Sequence, residues 1–99
     1  MSTSLEEELV NVQIEKGVVK TLSKYPEKIR VQIFRHIQML TDPYEAPDVE
    51  CLYPKKQIWR MHVGRSYTII FTILKQSDTV HVLEVSTIEQ AHKRYGRFY

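Results

Sequence analysis

Two basic side chains of different chemistry alternate with apolar ones in segment 57–63, which has the pattern of a β-strand. Arg60 and His62 fall on one side of such a strand because successive side chains point to opposite faces, and Trp59 and Met61 take the apolar side. A guanidinium binds phosphate oxygens, and an imidazole exchanges a proton near neutral pH. The pair therefore predicts either a sheet surface suited to RNA or a solvated sheet face with incidental cations, and the alternation alone favours neither.

The C-terminal segment 92–99 carries a second group of side chains that suit nucleic acid. Cations that meet phosphates and rings that stack on bases are typical of RNA contacts. The alternative is a solvated basic end, which this feature taken alone favours. The cations and rings of the segment are His92, Lys93, Arg94, Tyr95, Arg97, Phe98 and Tyr99.

The other reactive side chains predict no further site. Cys51 is the single cysteine, so it forms no intramolecular disulfide, and in its proline-rich surroundings it is interpreted as a bystander thiol. His36 is interpreted as a helix-surface residue and His81 as a structural strand residue. The sequence has no glycine-rich phosphate loop and no spaced metal ligands, so no cofactor and no metal site are expected.

Length and composition predict one small globular domain. The chain has 99 residues, with 42% hydrophobic and 26% charged side chains, so we expect one domain over 1–99, with 1–9 as an N-terminal extension. That extension is acidic and unlike a signal peptide, and no apolar run approaches the ~18 residues of a membrane span. A cytoplasmic protein without a membrane partner is expected.

The elements that must position Arg60 and His62 follow from periodicity. Alternation predicts a strand over 10–15, and apolar spacing predicts a short helix over about 17–24. Pro26 opens a second helix whose apolar stripe, at i, i+4, i+8 and i+11, ends before Pro43. The stripe consists of Ile29, Ile33, Ile37 and Leu40.

The second half of the chain predicts a β-meander. Three prolines between 42 and 56 indicate a long surface loop. Strands over 57–63, 67–74 and 80–86 follow, with tight turns between them, and a last short helix is expected at 87–95. The fold class is α+β, a two-layer β-α-α-β-β-β arrangement with an antiparallel sheet, a helical hairpin on one face and a short C-terminal helix.

These strands also carry a family resemblance. The run Ile58-Trp59-Arg60-Met61-His62-Val63-Gly64, followed by Tyr67-Thr68-Ile69-Ile70-Phe71, resembles the core signature of the RelE/ParE toxin superfamily. The segments LSKYPEKIR, MLTDP and the closing AHKRYG agree with it in order and length. The resemblance covers about residues 10–97.

The resemblance implies a toxin of a type II toxin–antitoxin system. RelE-like members enter the ribosome, cut mRNA without a metal and so inhibit translation. The 2′-OH of the substrate attacks the adjacent phosphate, leaving a 2′,3′-cyclic phosphate and a 5′-OH. Its implied partners are a cognate antitoxin protein, the ribosome and mRNA, with no small-molecule cofactor. ParE-like members share the fold and inhibit gyrase without cutting RNA, and a third possibility is an RNA-binding relative that does not cleave.

The resemblance also implies roles for particular residues. Arg60 matches a basic site position and His62 the next alternating one, so they are expected to contact the scissile phosphate and to transfer a proton. Two departures stand out, because the family arginines correspond here to Thr68 and to the vicinity of Gln90. The catalytic set expected on the concave sheet face is Arg60, His62, Arg94 and Tyr95. The RNA-binding set is Lys55, Lys56, Arg65, His92, Lys93 and Arg97.

Two further expectations concern geometry. The C-terminal segment must fold back over the meander so that Tyr95 comes near Arg60. Ile58, Ile70 and Leu74 lie on the sheet side away from the predicted core. They are expected either to contact an antitoxin or to pack under the C-terminal helix, and the sequence leaves both open.

Overall fold

The computed structural model describes residues 11–94, and of Arg94 only the backbone. Its strands and helices are numbered here in chain order. They are β1 (Asn11–Ile14), α1 (Lys16–Ser23), α2 (Glu27–Met39), β2 (Val49–Tyr53), β3 (Ile58–Val63), β4 (Tyr67–Leu74), β5 (Thr79–Thr87) and α3 (Ile88–Arg94).

The helical hairpin forms where the apolar stripe predicts it. Pro26 precedes α2, and its carbonyl accepts hydrogen bonds from the N–H groups of Ile29 and Arg30, each at 3.0 Å. Ile33 and Ile37 on the predicted stripe are buried. None of the helices formed by residues 11–94 is long and apolar enough to span a membrane.

The sheet has the order β1-β5-β4-β3-β2. The antiparallel meander is confirmed, since β3 pairs with β4 and β4 with β5 in antiparallel register. The first strand differs from the expected antiparallel pairing because β1 lies parallel to β5, with Val12 opposite Val80. The α+β class is therefore confirmed with a mixed sheet.

The main core lies between the helical hairpin and the sheet. Ile33 on α2 and Met61, Ile69 and Phe71 on β3 and β4 have no exposed surface. This confirms the predicted facing of the stripe and the alternating strand residues. Because Met61 faces this core, Arg60 and His62 point to the other side of the sheet.

Helix α3 covers part of that other side, here called the outer face. Ala91 is fully buried against Ile58 and Ile70, which are 7% and 0% exposed. The prediction that Ile58 and Ile70 offer an exposed contact for an antitoxin is therefore wrong, and the alternative of packing under the C-terminal helix is correct. Leu74 remains exposed.

The predicted loop over 42–56 contains a strand. Segment 49–53 pairs with β3 as an edge strand, with Val49 opposite Met61 and Glu50 opposite Arg60. Its two flanking prolines, Pro47 and Pro54, lie outside the paired residues, so they do not remove ladder hydrogen bonds. The surface-loop prediction is wrong for these five residues.

Truncation of the core at α2 should lower stability. We expect Ile33→Ala to reduce the free energy of unfolding by about 2–4 kcal/mol, because a fully buried side chain leaves a cavity against Met61 and Ile69. Urea denaturation measures this change. Val31→Ala on the same helix is the control, since Val31 is exposed and should change stability by less than about 0.5 kcal/mol. Equal losses in the two variants would contradict the observed packing.

Candidate functional site

The register of the sheet places three charged residues and one isoleucine in a row across the outer face. Glu50 on β2 lies opposite Arg60 on β3. Arg60 lies opposite Ile70 on β4, which lies opposite Glu84 on β5. Directly opposed residues of antiparallel strands share a face, so the four side chains form one row. His62 belongs to the next row along β3.

Arg60 stands between an anion and an imidazole. One nitrogen of its guanidinium, Nη2, donates to the Glu50 carboxylate, and the other, Nη1, donates to His62 Nε2. The Arg60 side chain is 17% exposed and that of Glu50 61%, so the pair is reached from solvent through Glu50. The cation is thus held in place by two contacts on the outer face.

His62 is held in its neutral form. Partial burial lowers its pKa first, and the positive charge of Arg60 lowers it further, while Asp48 and Glu50 act in the opposite direction. A guanidinium has only donors, so the Arg60 contact requires a lone pair at His62 Nε2 and a proton at Nδ1. An imidazole in that state can accept a proton at Nε2 once Arg60 withdraws.

Thr68 lies beside His62, but its side chain bonds the backbone of the neighbouring strand. The two residues are opposite each other in the β3–β4 register. Thr68 is fully buried, and its hydroxyl donates to the Met61 carbonyl at 3.3 Å. It therefore presents no group to a ligand at the position where the family resemblance implies an arginine.

Helix α3 is fixed over the outer face by a reciprocal cap. The Gln90 N–H donates to the Thr87 hydroxyl oxygen at 3.1 Å, and the Thr87 N–H donates to the Gln90 side-chain oxygen at 3.2 Å. This capping box occupies Gln90, the other position where the resemblance implies a basic residue nearby. Ala91 anchors the next turn against the sheet. His92 lies near enough to lower the pKa of His62.

The predicted phosphate-binding residues surround β3 rather than forming one cluster. Lys55 and Lys56 are exposed on a 3-10 turn that precedes β3, and the Lys56 ammonium lies 5.4 Å from the centre of the Tyr53 ring. Arg65 is exposed in the turn that follows β3. The six-residue strand between these turns spans about 20 Å. Lys93 is exposed on α3.

Part of the predicted site lies outside the described residues. Tyr95 and Arg97 follow the last described position, and for Arg94 only the helical backbone is described. The direction of α3 nevertheless bears on the expected fold-back. Ala91 packs with Ile58 and Ile70, so α3 lies on the outer face of the sheet. The expected proximity of Tyr95 to Arg60 stays a prediction.

Sequence reasoning missed Glu50 and Asp48. Glu50 binds Arg60, and the Asp48 carbonyl accepts a hydrogen bond from the His62 N–H at 3.3 Å. Asp48 has a φ of 58°, a left-handed conformation that aspartate tolerates better than most residues. The available signal was the polar Glu50 between Val49 and Cys51, but the surrounding prolines obscured this short alternation.

The remaining candidates lie away from the site. Cys51 follows Glu50 along β2 and opposes Trp59, so it belongs to the helix side of the sheet. His36 Nδ1 lies 2.8 Å from the Gln32 carbonyl within α2. His81 Nε2 lies 2.8 Å from a Glu15 carboxylate oxygen, joining β5 to the end of β1. Within residues 11–94, no three His, Cys, Asp or Glu side chains are grouped to hold a metal ion.

The lowered pKa of His62 predicts a pH dependence of stability. The unfolded imidazole titrates near 6.5, so between the folded pKa and 6.5 the unfolded chain binds more protons than the folded one. The stabilisation by neutral His62 is complete above 6.5 and is lost as the pH falls through the folded pKa.

His62→Gln should therefore show a smaller loss of unfolding free energy than the original chain between pH 8 and pH 5. Urea denaturation across this range measures the difference. The other histidines are present in both proteins and cancel in the comparison. A His62→Gln curve that runs parallel to the original one would contradict the assigned neutral state.

Comparison with known proteins finds matches among solved structures and in neither of the two sequence comparisons. No family model and no curated protein matches the sequence. The chain resembles the archaeal RelE–RelB complex of Pyrococcus horikoshii with a TM-score of 0.71 and 21% identity, covering 80% of this chain and 94% of that one. It resembles the toxin–antitoxin complex RelBE2 of Mycobacterium tuberculosis with a TM-score of 0.66 and 16% identity, covering 80% and 91%.

An isolated toxin matches as well. The Escherichia coli RelE toxin gives a TM-score of 0.63 at 14% identity and covers 91% of this chain and 99% of that one. The chain therefore has the fold of the RelE toxins, as the resemblance of β3 and β4 implies.

Proposed function

We propose that this protein is the toxin of a toxin–antitoxin pair and an endoribonuclease that cuts ribosome-bound mRNA. The observation that carries the proposal is the contact between the Arg60 guanidinium and the neutral His62 imidazole, on the outer face of a RelE-type sheet. A fixed cation beside a proton acceptor is the combination that phosphodiester cleavage by a neighbouring hydroxyl requires.

The proposed reaction needs no group beyond the RNA and the protein. The 2′-oxygen forms a bond to the adjacent phosphorus, and the bond from phosphorus to the 5′-oxygen breaks. The proton of the 2′-OH passes to a base, and a second proton passes to the departing 5′-oxygen. The products are a 2′,3′-cyclic phosphate and a 5′-OH. The protein contributes alignment, charge stabilisation and the two proton transfers.

Arg60 is the proposed contact to the scissile phosphate. To make it, the guanidinium exchanges the Glu50 carboxylate for phosphate oxygens, which bind the same planar donors. When the phosphate oxygens engage Nη1 as well as Nη2, Nη1 leaves His62 Nε2, which then accepts the 2′-OH proton. Glu50 is a second proton acceptor beside the same cation, so the base is assigned to His62 on its contact and neutral state.

The remaining predicted residues have supporting roles in this proposal. Tyr95 stacks on a base or assists proton transfer, and Arg94 adds charge near the phosphate. The flanking phosphates are bound by Lys55, Lys56, Arg65, His92, Lys93 and Arg97. Exposed cations of this kind give an attraction that weakens with salt. A cytoplasmic location follows from a ribosome-bound substrate.

A second candidate function is a toxin of this fold that binds its target without cutting RNA. Thr68 favours it, because a buried threonine replaces one implied phosphate-binding arginine. The Gln90 side chain favours it as well, since the capping box engages it. Thr68 and Gln90 are both uncharged, so less positive charge is available there to stabilise a phosphorane.

The antitoxin partner is proposed from the structural relatives. The Pyrococcus horikoshii and Mycobacterium tuberculosis relatives are complexes with antitoxins. A small neighbouring gene whose product binds this chain is therefore expected.

Mapping of mRNA ends after induction tests the proposed function. Primer extension should find cuts within translated codons, and purified protein should cut mRNA on ribosomes, leaving a 5′-OH. Intact mRNA with arrested replication would support the non-cleaving toxin, and normal growth would reject both. The control is the double variant Arg60→Ala/His62→Gln, which should leave the mRNA intact.

A further inference from the structure

Two 3-10 turns lie side by side at the end of the sheet where β3 begins and β4 ends. One turn comprises Pro54–Lys56 and the other Lys75–Ser77. The Ile73 N–H donates to the Gln57 carbonyl at 3.4 Å, which joins the first turn to the end of β4. The surface formed by the two turns and the groove between them is named the foot surface. The groove has a volume of about 440 Å³ and is lined by Gln57, Ile73, Leu74, Lys75, Gln76 and Ser77.

The foot surface combines an exposed apolar side chain with positive charge. Leu74 is 45% exposed there, although its neighbour Ile73 is buried. Lys55, Lys56 and Lys75 are exposed beside it. Segments 54–57 and 75–78 together contain three lysines and one aspartate, a net charge of +2. A ligand that matches this surface presents an apolar side chain next to negative charges.

The N-terminal segment 1–10 has that composition. It contains Glu6, Glu7 and Glu8 between Leu5 and Leu9, and it has no basic side chain. The segment precedes the described part of the chain, so its position relative to the foot surface is argued from the residue that follows it.

The start of β1 brings the segment to the foot surface. The Asn11 N–H donates to the Asp78 carbonyl at 2.8 Å, so the chain enters the sheet beside the second turn. Asn11 lies opposite Thr79, which lies opposite Leu74. Two strand spacings, about 10 Å, therefore separate Asn11 from Leu74, and one more spacing leads to β3. Glu6–Glu8 precede Asn11 by three to five residues, and extended segments of that length span about 10–17 Å.

We propose that the N-terminal segment binds the foot surface and shields Lys55 and Lys56 from RNA. Leu9 packs on Leu74, and the three glutamates pair with the lysines. Because the segment belongs to the same chain, its local concentration at the foot surface is high, and contacts that are weak one by one suffice to hold it. RNA phosphates then have to displace the glutamates before they engage the lysines. The shielding rests on the proposed function, whereas the binding of the segment does not.

The place where the segment joins the sheet selects the foot surface over the helical hairpin. Charge alone would favour the hairpin, since segment 16–39 contains six basic side chains and one acidic one. The hairpin begins with α1 at the end of β1, however, whereas segment 1–10 joins β1 at its start. The hairpin lysines are therefore the comparison that separates a specific contact from general attraction between opposite charges.

Zero-length cross-linking of the full chain tests the binding. A carbodiimide joins a carboxylate to an ammonium group only where the two are in contact, and mass spectrometry of the digested chain locates the joined residues. We expect Glu6–Glu8 to be joined to the foot lysines at least about tenfold more often than to the hairpin lysines. The foot lysines are Lys55, Lys56 and Lys75, and the hairpin lysines are Lys16, Lys20, Lys24 and Lys28.

A matched pair of variants tests the apolar contact. Leu74→Ser should reduce the yield of foot cross-links about fivefold, because the segment loses its apolar partner. Val31→Ser on α2 is the control and should leave the yield unchanged, since Val31 is exposed to a similar extent, 42%, but lies away from the foot surface. Equal yields at the foot and hairpin lysines would overturn the proposal. Mixing isotope-labelled and unlabelled chains identifies cross-links between molecules, and a predominance of these would replace the proposal with binding by a second copy.

RNA binding tests the shielding. Glu6→Gln/Glu7→Gln/Glu8→Gln should bind a fluorescein-labelled uridine oligonucleotide about fivefold more tightly than the original chain in an anisotropy titration. The control Glu27→Gln/Asp42→Asn/Glu45→Gln removes three exposed acidic side chains elsewhere and should change the affinity by less than about twofold. The gain should also disappear when Lys55→Gln/Lys56→Gln is present in both chains.

The outcomes of the RNA experiment separate shielding from a change in net charge. An equal gain in the control, or a gain that persists without Lys55 and Lys56, would overturn the shielding, and so would the absence of any gain. The cross-linking contains no RNA and neither experiment measures cleavage, so their failure is distinct from failure of the proposed function.

Discussion

Arg60→Ala should reduce cleavage of ribosome-bound mRNA by about a hundredfold or more. The Glu50 carboxylate and the His62 imidazole hold the Arg60 guanidinium in place on the outer face. A cation that is already fixed stabilises charge developing on the phosphorane without reorganising during the reaction. Single-turnover cleavage on programmed ribosomes measures the loss.

Two controls separate charge from folding in the Arg60 experiment. Arg65→Ala removes an exposed arginine three residues after His62, in the turn that follows β3, and we expect a loss of less than about tenfold that shrinks as salt rises. Glu50→Gln removes the anion that competes with phosphate, so RNA should bind more tightly. Cleavage by a folded Arg60→Ala variant at the original rate would reject Arg60 as the phosphate contact and favour the non-cleaving toxin.

The main core could be predicted because periodicity reports burial directly. The i, i+4 spacing of Ile33 and Ile37 identified the buried stripe of α2, and strand alternation identified Met61 and Ile69. The side on which Arg60 and His62 lie followed from the same alternation. These features depend on neighbouring residues along one element, which the sequence displays.

Features that depend on pairing between distant segments were not predictable in the same way. The parallel pairing of β1 with β5 depends on where the chain returns to the sheet, and β1 itself gives no sign of it. The burial of Ile70 required α3 to lie on the outer face. One sign was present, since β4 is apolar at nearly every position, as strands covered on both faces usually are.

The Arg60–His62 pair of the candidate site was predictable, whereas the residues that surround the pair were not. The Arg60–His62 contact joins two residues of one strand, so alternation brought them together. Glu50 lies on β2, a strand whose flanking prolines predicted a loop instead. His92 lies on α3, whose position is fixed by the Thr87–Gln90 cap. Each of these contacts depends on a tertiary arrangement that no local pattern encodes.

His62→Gln should lower kcat/KM for cleavage by about a hundredfold at pH 7, because glutamine keeps a polar side chain there but cannot accept the 2′-OH proton. Burial and Arg60 lower the pKa of His62, so at pH 7 the original protein holds the base in its active form. Its kcat/KM should therefore be level near neutral pH and should fall only at a pH below 6.5, as His62 gains a proton. This acidic limb should be absent in His62→Gln, and rates measured on the same ribosome complexes from pH 5 to pH 8 test both expectations.

Glu50 provides the comparison that assigns the base. If His62 accepts the proton, Glu50→Gln keeps the acidic limb and its cleavage rate changes by less than about tenfold, since only the competition for Arg60 is removed. If Glu50 accepts the proton, Glu50→Gln loses about a hundredfold and His62→Gln retains most of its activity. The contact of His62 Nε2 with Arg60 favours the first result, because a phosphate that engages both Nη1 and Nη2 exposes the imidazole lone pair at the same step that brings the 2′-OH to it.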